Sequence, residues 1–118
     1  MDDREFTRVE FSEWATISYE NQVFGGLIEN ISLMGLFVQM HQELPLNTPV
    51  EVCIHHCIDK SLNLRAVAVR YEKTGLGMKI NKMDIDSVLY LRKLIEENCK
   101  DPELVVIETK KMVDCMLG

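Results

Sequence analysis

"GGLIENISLMGLFV", residues 25–38, interrupts two apolar runs with Asn30, Ser32 and Gly35. Leu27-Ile28 before the break and Leu36-Phe37-Val38 after it have the β-branched and aromatic bias of strands. The stretch therefore reads as two neighbouring strands. Side chains of an extended chain alternate between faces, which places Asn30 and Ser32, two apart, on the same side. Gly35 removes a Cβ where the chain turns or where something approaches the backbone. An amide, a hydroxyl and a missing side chain would together form a polar notch in an apolar sheet.

The pattern continues outward in both directions. "WATISYE" (14–20) reads as a preceding strand, with Glu20-Asn21-Gln22 as its turn. "VFGGLIENI" (23–31) follows, Gly25-Gly26 marking a bulge or a close backbone approach. "GLFVQM" (35–40) is the third strand and "HQELPLNTP" (41–49), with two prolines, a loop. "VEVCIHHCI" (50–58) alternates Val50, Val52, Ile54, His56 and Ile58 against Glu51, Cys53, His55 and Cys57. "LNLRAVAVRYE" (62–72) sets Leu62, Leu64, Ala66, Ala68 and Arg70 against Asn63, Arg65, Val67, Val69 and Tyr71. "TGLGMKI" (74–80) is a sixth strand. Short strands at this spacing predict an antiparallel barrel or sandwich.

Beyond the strands the period changes. Asp84 or Asp86 can cap a helix whose apolar face is Ile85, Val88, Leu89, Leu91, Leu94, Ile95 and Cys99, ended by Lys100-Asp101-Pro102. The tail "ELVVIETKKMVDCMLG" (103–118) fits either a short strand then a helix, or one amphipathic helix.

A chain of 118 residues, 47% apolar and 27% charged, has the composition of one globular domain. No apolar run approaches the ~20 residues that span a bilayer, so no membrane insertion is expected. "MDDREFTR" lacks the apolar core of a secretory signal, which makes a cytoplasmic location the expectation. A net charge of −6 argues against a nucleic-acid polymer as partner, because phosphate neutralisation needs clustered Lys and Arg. It is compatible with a small anion held by one or two arginines.

Of the five arginines, Arg4 and Arg8 lie in the first eight residues as R-x-x-x-R. Guanidinium suits bidentate bonds to phosphate or to the O6/N7 edge of guanine, and stacks on purines. Asn30 offers an amide and Ser32 a hydroxyl for the rest of a base edge or for orienting an arginine.

R-x-x-x-R followed by N-x-S-x-x-G in "NISLMG" resembles the PilZ domain, a family known for binding the bacterial second messenger cyclic di-GMP. "GGLIENISLMGLFV", "LRAVAVRYEKTGLGMKI" and "DSVLYLRKLI" look like the family's second and third strands, later hairpin and closing helix, so the resemblance covers residues 4–99. Asn30 stands where the family more often has aspartate, and Met34 where many members have a second glycine. The resemblance implies an all-β fold with a C-terminal helix, a six-stranded antiparallel β-barrel with a flexible N-terminal arm. The spans are then arm 1–13, barrel 14–83, closing helix 84–99 and tail 100–118. It implies cyclic di-GMP bound on the outer barrel wall by Arg4, Arg8, Asn30, Ser32 and Gly35, the arm folding over the ligand. A protein effector in motility, pili or exopolysaccharide production is the expected partner. The alternative is a PilZ-like adaptor that binds no nucleotide.

Other readings carry less. Cys53, His55 and Cys57 share a strand face but span too far along it to converge on one zinc ion, so no metal and no cofactor is expected. Gly25-Gly26 lacks the helix and lysine of a phosphate loop. No catalytic residue is expected.

Overall fold

The computed structural model describes residues 6–57 and 60–117. Six strands, β1 (Val9–Tyr19), β2 (Gln22–Ile31), β3 (Gly35–Gln39), β4 (Pro49–Cys57), β5 (Lys60–Glu72) and β6 (Gly75–Met83), precede two helices, α1 (Ile85–Asn98) and α2 (Pro102–Leu117). Every strand pairing is antiparallel, and the order β1-β2-β3-β6-β5-β4 closes on itself through β1 and β4. The closing seam pairs Ala15–Ser18 of β1 with Glu51–Ile54 of β4, so neither end strand is left as a free edge there. The expected six-stranded barrel is the fold observed.

Alternation builds the interior. Ile17, Ile28, Ile31, Leu36, Val38, Val52, Ile54, Leu62, Leu64, Ala66, Leu76, Met78 and Ile80 are all buried in one cluster. Glu20 (φ 48°) and Asn21 (φ 65°) form the two-residue β1–β2 turn, with Tyr19 opposite Gln22. Both central residues in the left-handed region match the twist of a hairpin.

Two local expectations change, and an open alternative is settled. β1 begins at Val9, inside the stretch assigned from sequence to the arm, because buried Val9 and Phe11 already alternate inward. Gly25-Gly26 carries no bulge: pairing with β1 is unbroken there, and the β2–β3 register shifts between Ile28 and Asn30 instead. Gly26 serves a close approach, since a Cβ there would lie 2.6 Å from Val38 Cγ1. Arg70 does not share the core face of Leu62–Ala68, because a register shift between Ala68 and Arg70 turns it outward.

Helix α1 covers part of the barrel with Val88, Leu91, Leu94 and Ile95. Asp84 is its N-cap, accepting from the Ser87 amide at 3.3 Å. Such a cap contributes about 0.5–2 kcal/mol. Buried Ser87 in turn accepts from the Asn63 amide, pinning the helix start to β5. His56, on the interior side of β4, stacks on Phe11 and meets Tyr90 in a T-shaped contact. The tail is one helix: Val105, Glu108 and Met112 fall on one buried side of α2. No helix among the described residues is long and apolar enough to cross a membrane.

Candidate functional site

The N-x-S-x-x-G motif occupies the β2–β3 connection. Ser32, fully buried, organises the turn: its amide donates to the Gly35 carbonyl at 2.8 Å. Its Oγ accepts from the Gly35 amide (3.1 Å) and the Met34 amide (3.3 Å) and donates to the Gly35 carbonyl (3.3 Å). This is a serine turn, a side chain substituting for backbone partners. Asn30 and Ser32 do not share a face. Asn30 is still within β2 and half-buried on the outer wall, whereas Ser32 lies beyond the last strand residue, Ile31, and points into the protein.

The N-terminal segment reaches the same place. Arg8, half-buried, donates from Nη1 to Asn30 Oδ1 at 2.5 Å, so the second arginine of one motif holds the first residue of the other. A hydrogen bond with one charged partner is worth about 1.5–3 kcal/mol. Phe6 is buried in the core cluster, and Thr7 is bonded to Glu108 of α2. Arg4 lies outside the described residues.

Register defines the wall beside this contact. Inward-facing Ile31, Leu36, Met78 and Ala68 form one cross-strand row. The neighbouring row, on the outer face, is Asn30–Phe37–Gly77–Arg70. Gly35 and Lys79 are paired on the same outer face one step along. Three strand steps separate Asn30 from Arg70, about 14 Å. Gly77 keeps the floor low: a Cβ there would come within 2.7 Å of Arg70 Cζ, so the Arg70 side chain lies across it. Arg70 is half-exposed and ion-paired to Glu72 at 3.0 Å.

A chain with net charge −6 thus sets Arg8, Lys79 and Arg70 around one outer patch. Cations at both ends of a low, partly apolar floor suit a flat molecule with more than one negative charge. Sequence reasoning missed Arg70 and Lys79. The signal for Arg70 was present, since an arginine extending a core-facing alternation already argues for a bulge.

A family model described as the PilZ domain matches residues 2–97. Among solved structures, the PilZ domain with c-di-GMP of YcgR from Escherichia coli aligns with a TM-score of 0.68 at 11% identity, over 96% of this chain and 98% of that one. The Bacillus subtilis inhibitor of motility MotI/DgrA aligns with a TM-score of 0.65 at 15% identity, over 82% of this chain. This chain spans about half (51%) of the length of that protein. The PilZ domain of CeSA from a cellulose-synthesizing bacterium aligns with a TM-score of 0.58 at 18% identity, over 75% and 94%. At these identities the structural likeness speaks for the fold.

Proposed function

We propose, from the premise that this chain belongs to the PilZ domain family, that it is a cyclic di-GMP receptor acting through a protein partner. The carrying observation is the Arg8–Asn30 bond, which brings two motifs separated by 22 residues to one edge of a cationic outer wall. In this reading Arg4 and Arg8 grip phosphates and guanine edges, and Asn30 contacts a second guanine. Ser32 fixes the turn that presents Gly35, and would bond the ligand directly only after leaving its present partners. Lys79 and Arg70 add charge at the far side of the patch. The existing Arg8–Asn30 bond must be shared or exchanged when the ligand enters, which couples binding to a rearrangement of the segment. No catalytic step is part of this reading, and neither metal nor cofactor is assigned.

Calorimetric titration of cyclic di-GMP into the wild type and Arg8→Ala tests it. Removing one charge-assisted contact should weaken binding about tenfold to a hundredfold. Equal heats in both proteins, or none in the wild type, would remove the receptor reading.

A second reading, an adaptor that binds no nucleotide, draws on the helices. Ile85 and Leu89 of α1 and Leu104 and Ile107 of α2 are exposed apolar side chains of the kind a protein partner covers. Recovery of a partner that ignores added cyclic di-GMP and is lost on removing residues 100–118 would favour it.

A further inference from the structure

Glu108 is the only charged side chain that is buried among the described residues, 7% exposed in the middle of α2. A carboxylate on the inward side of a helix is costly unless strong donors meet it. Among the described residues its hydrogen-bond donors all come from Thr7, near the other end of the chain. The Thr7 amide donates to Oε1 at 3.0 Å and Oε2 at 2.9 Å, and Thr7 Oγ1 donates to Oε1 at 2.7 Å. Thr7 is the residue between the core anchor Phe6 and the motif arginine Arg8, inside the R-x-x-x-R span. A forked acceptor on the Thr7 N–H fixes the Phe6–Thr7 peptide plane, one residue ahead of Arg8. The Thr7 hydroxyl bond holds the residue itself, which limits where the Arg8 side chain that reaches Asn30 can start. The helix providing that acceptor lies beyond the residues 2–97 matched by the family model.

We propose that Glu108 is a positioning residue for the ligand-binding segment, holding Thr7 so that Arg8 meets the anionic ligand already placed. This rests on the receptor reading above and deepens it. Without the carboxylate the segment must be ordered at the moment of binding, and the apparent affinity falls with the fraction of molecules that hold the competent geometry. Linkage makes the effect reciprocal: a ligand that engages Arg8 in this pose must also tighten Thr7 on α2. The C-terminal helix thereby senses occupancy of a site it does not itself line.

The test combines affinity with amide exchange at Thr7, read by NMR on the full chain. Glu108→Gln keeps the shape but turns one acceptor into a donor facing the Thr7 N–H. It should speed Thr7 exchange in the ligand-free protein and weaken cyclic di-GMP binding about tenfold. Leu94→Ala, a core truncation in α1, should lower the melting temperature without moving the affinity, which separates positioning from general loosening. Unchanged affinity in Glu108→Gln alongside normal wild-type binding overturns the proposal and leaves the receptor reading standing. No binding by the wild type overturns the receptor reading, and unchanged Thr7 exchange in Glu108→Gln then overturns the anchoring as well. If Glu108→Gln does not fold, Thr7→Val removes one of the three bonds and must move affinity and exchange in the same direction by a smaller factor; no shift there overturns the proposal.

Discussion

The two halves of the candidate site are built by opposite strategies. The β2–β3 turn is organised mainly from within: Ser32 satisfies groups on residues two and three positions away, and a bond from the Ile80 amide to the Met34 carbonyl (2.8 Å) ties the turn to β6. The N-terminal segment is held from afar, by core packing at Phe6, by Glu108 across 101 residues at Thr7 and by Asn30 across 22 at Arg8. Both rely on a buried polar side chain, Ser32 in one and Glu108 in the other. A local turn forms with its strands, whereas a segment held by a few distant contacts opens at a smaller free energy than the whole fold. The site thus joins a rigid half to an adjustable one.

Phe6→Ala is the strongest way to break this comparison. If the segment is part of the cooperative unit, truncating a 3%-exposed phenylalanine should cost about 3 kcal/mol in urea unfolding, the low end for buried aromatics. A loss under about 1 kcal/mol would show that the segment undocks without disturbing the barrel. Ser32→Ala comes next. It leaves the buried amides of Met34 and Gly35 without their acceptor and should cost about 1–3 kcal/mol, with a matching fall in melting temperature. A neutral result would mean that the turn is held by its flanking strands alone.

How much of this the sequence showed divides along the same line. Alternation in β4 and in the first half of β5 identified the core, and the Glu20-Asn21 turn was readable because its residues suit a left-handed hairpin turn. The N-x-S-x-x-G turn was legible because Met34 and Gly35, the partners of Ser32, are its neighbours in sequence. Period counting failed where the ladder is irregular or ends: β2 stops at Ile31, so Ser32 leaves the alternation that holds Asn30, and the register shift after Ala68 moved Arg70 to the outer wall. One inserted residue inverts every later assignment. Glu108 was invisible for a different reason. Its role depends on a contact 101 residues away, and the pattern alone shows only an acidic residue in an amphipathic stretch.

Arg70→Ala sharpens the comparison on the ligand side. Arg70 is half-exposed and already ion-paired to Glu72, so its loss should cost little stability. Binding of cyclic di-GMP should weaken about threefold to tenfold, with the larger factor at low ionic strength where exposed charges are less screened. A salt-independent loss would point to a shape effect through Gly77 in place of charge.

The central claim is that the N-terminal motif and the Asn30–Gly35 turn serve one patch on the outer wall. Chemical-shift mapping of a cyclic di-GMP titration tests it most directly. Perturbed amides should concentrate at Arg8, Asn30, Phe37, Gly77, Lys79 and Arg70, with Cys53 and Asn63 on the β4–β5 side unmoved. Perturbations centred on β4 and β5, or none at saturating ligand, would contradict the account.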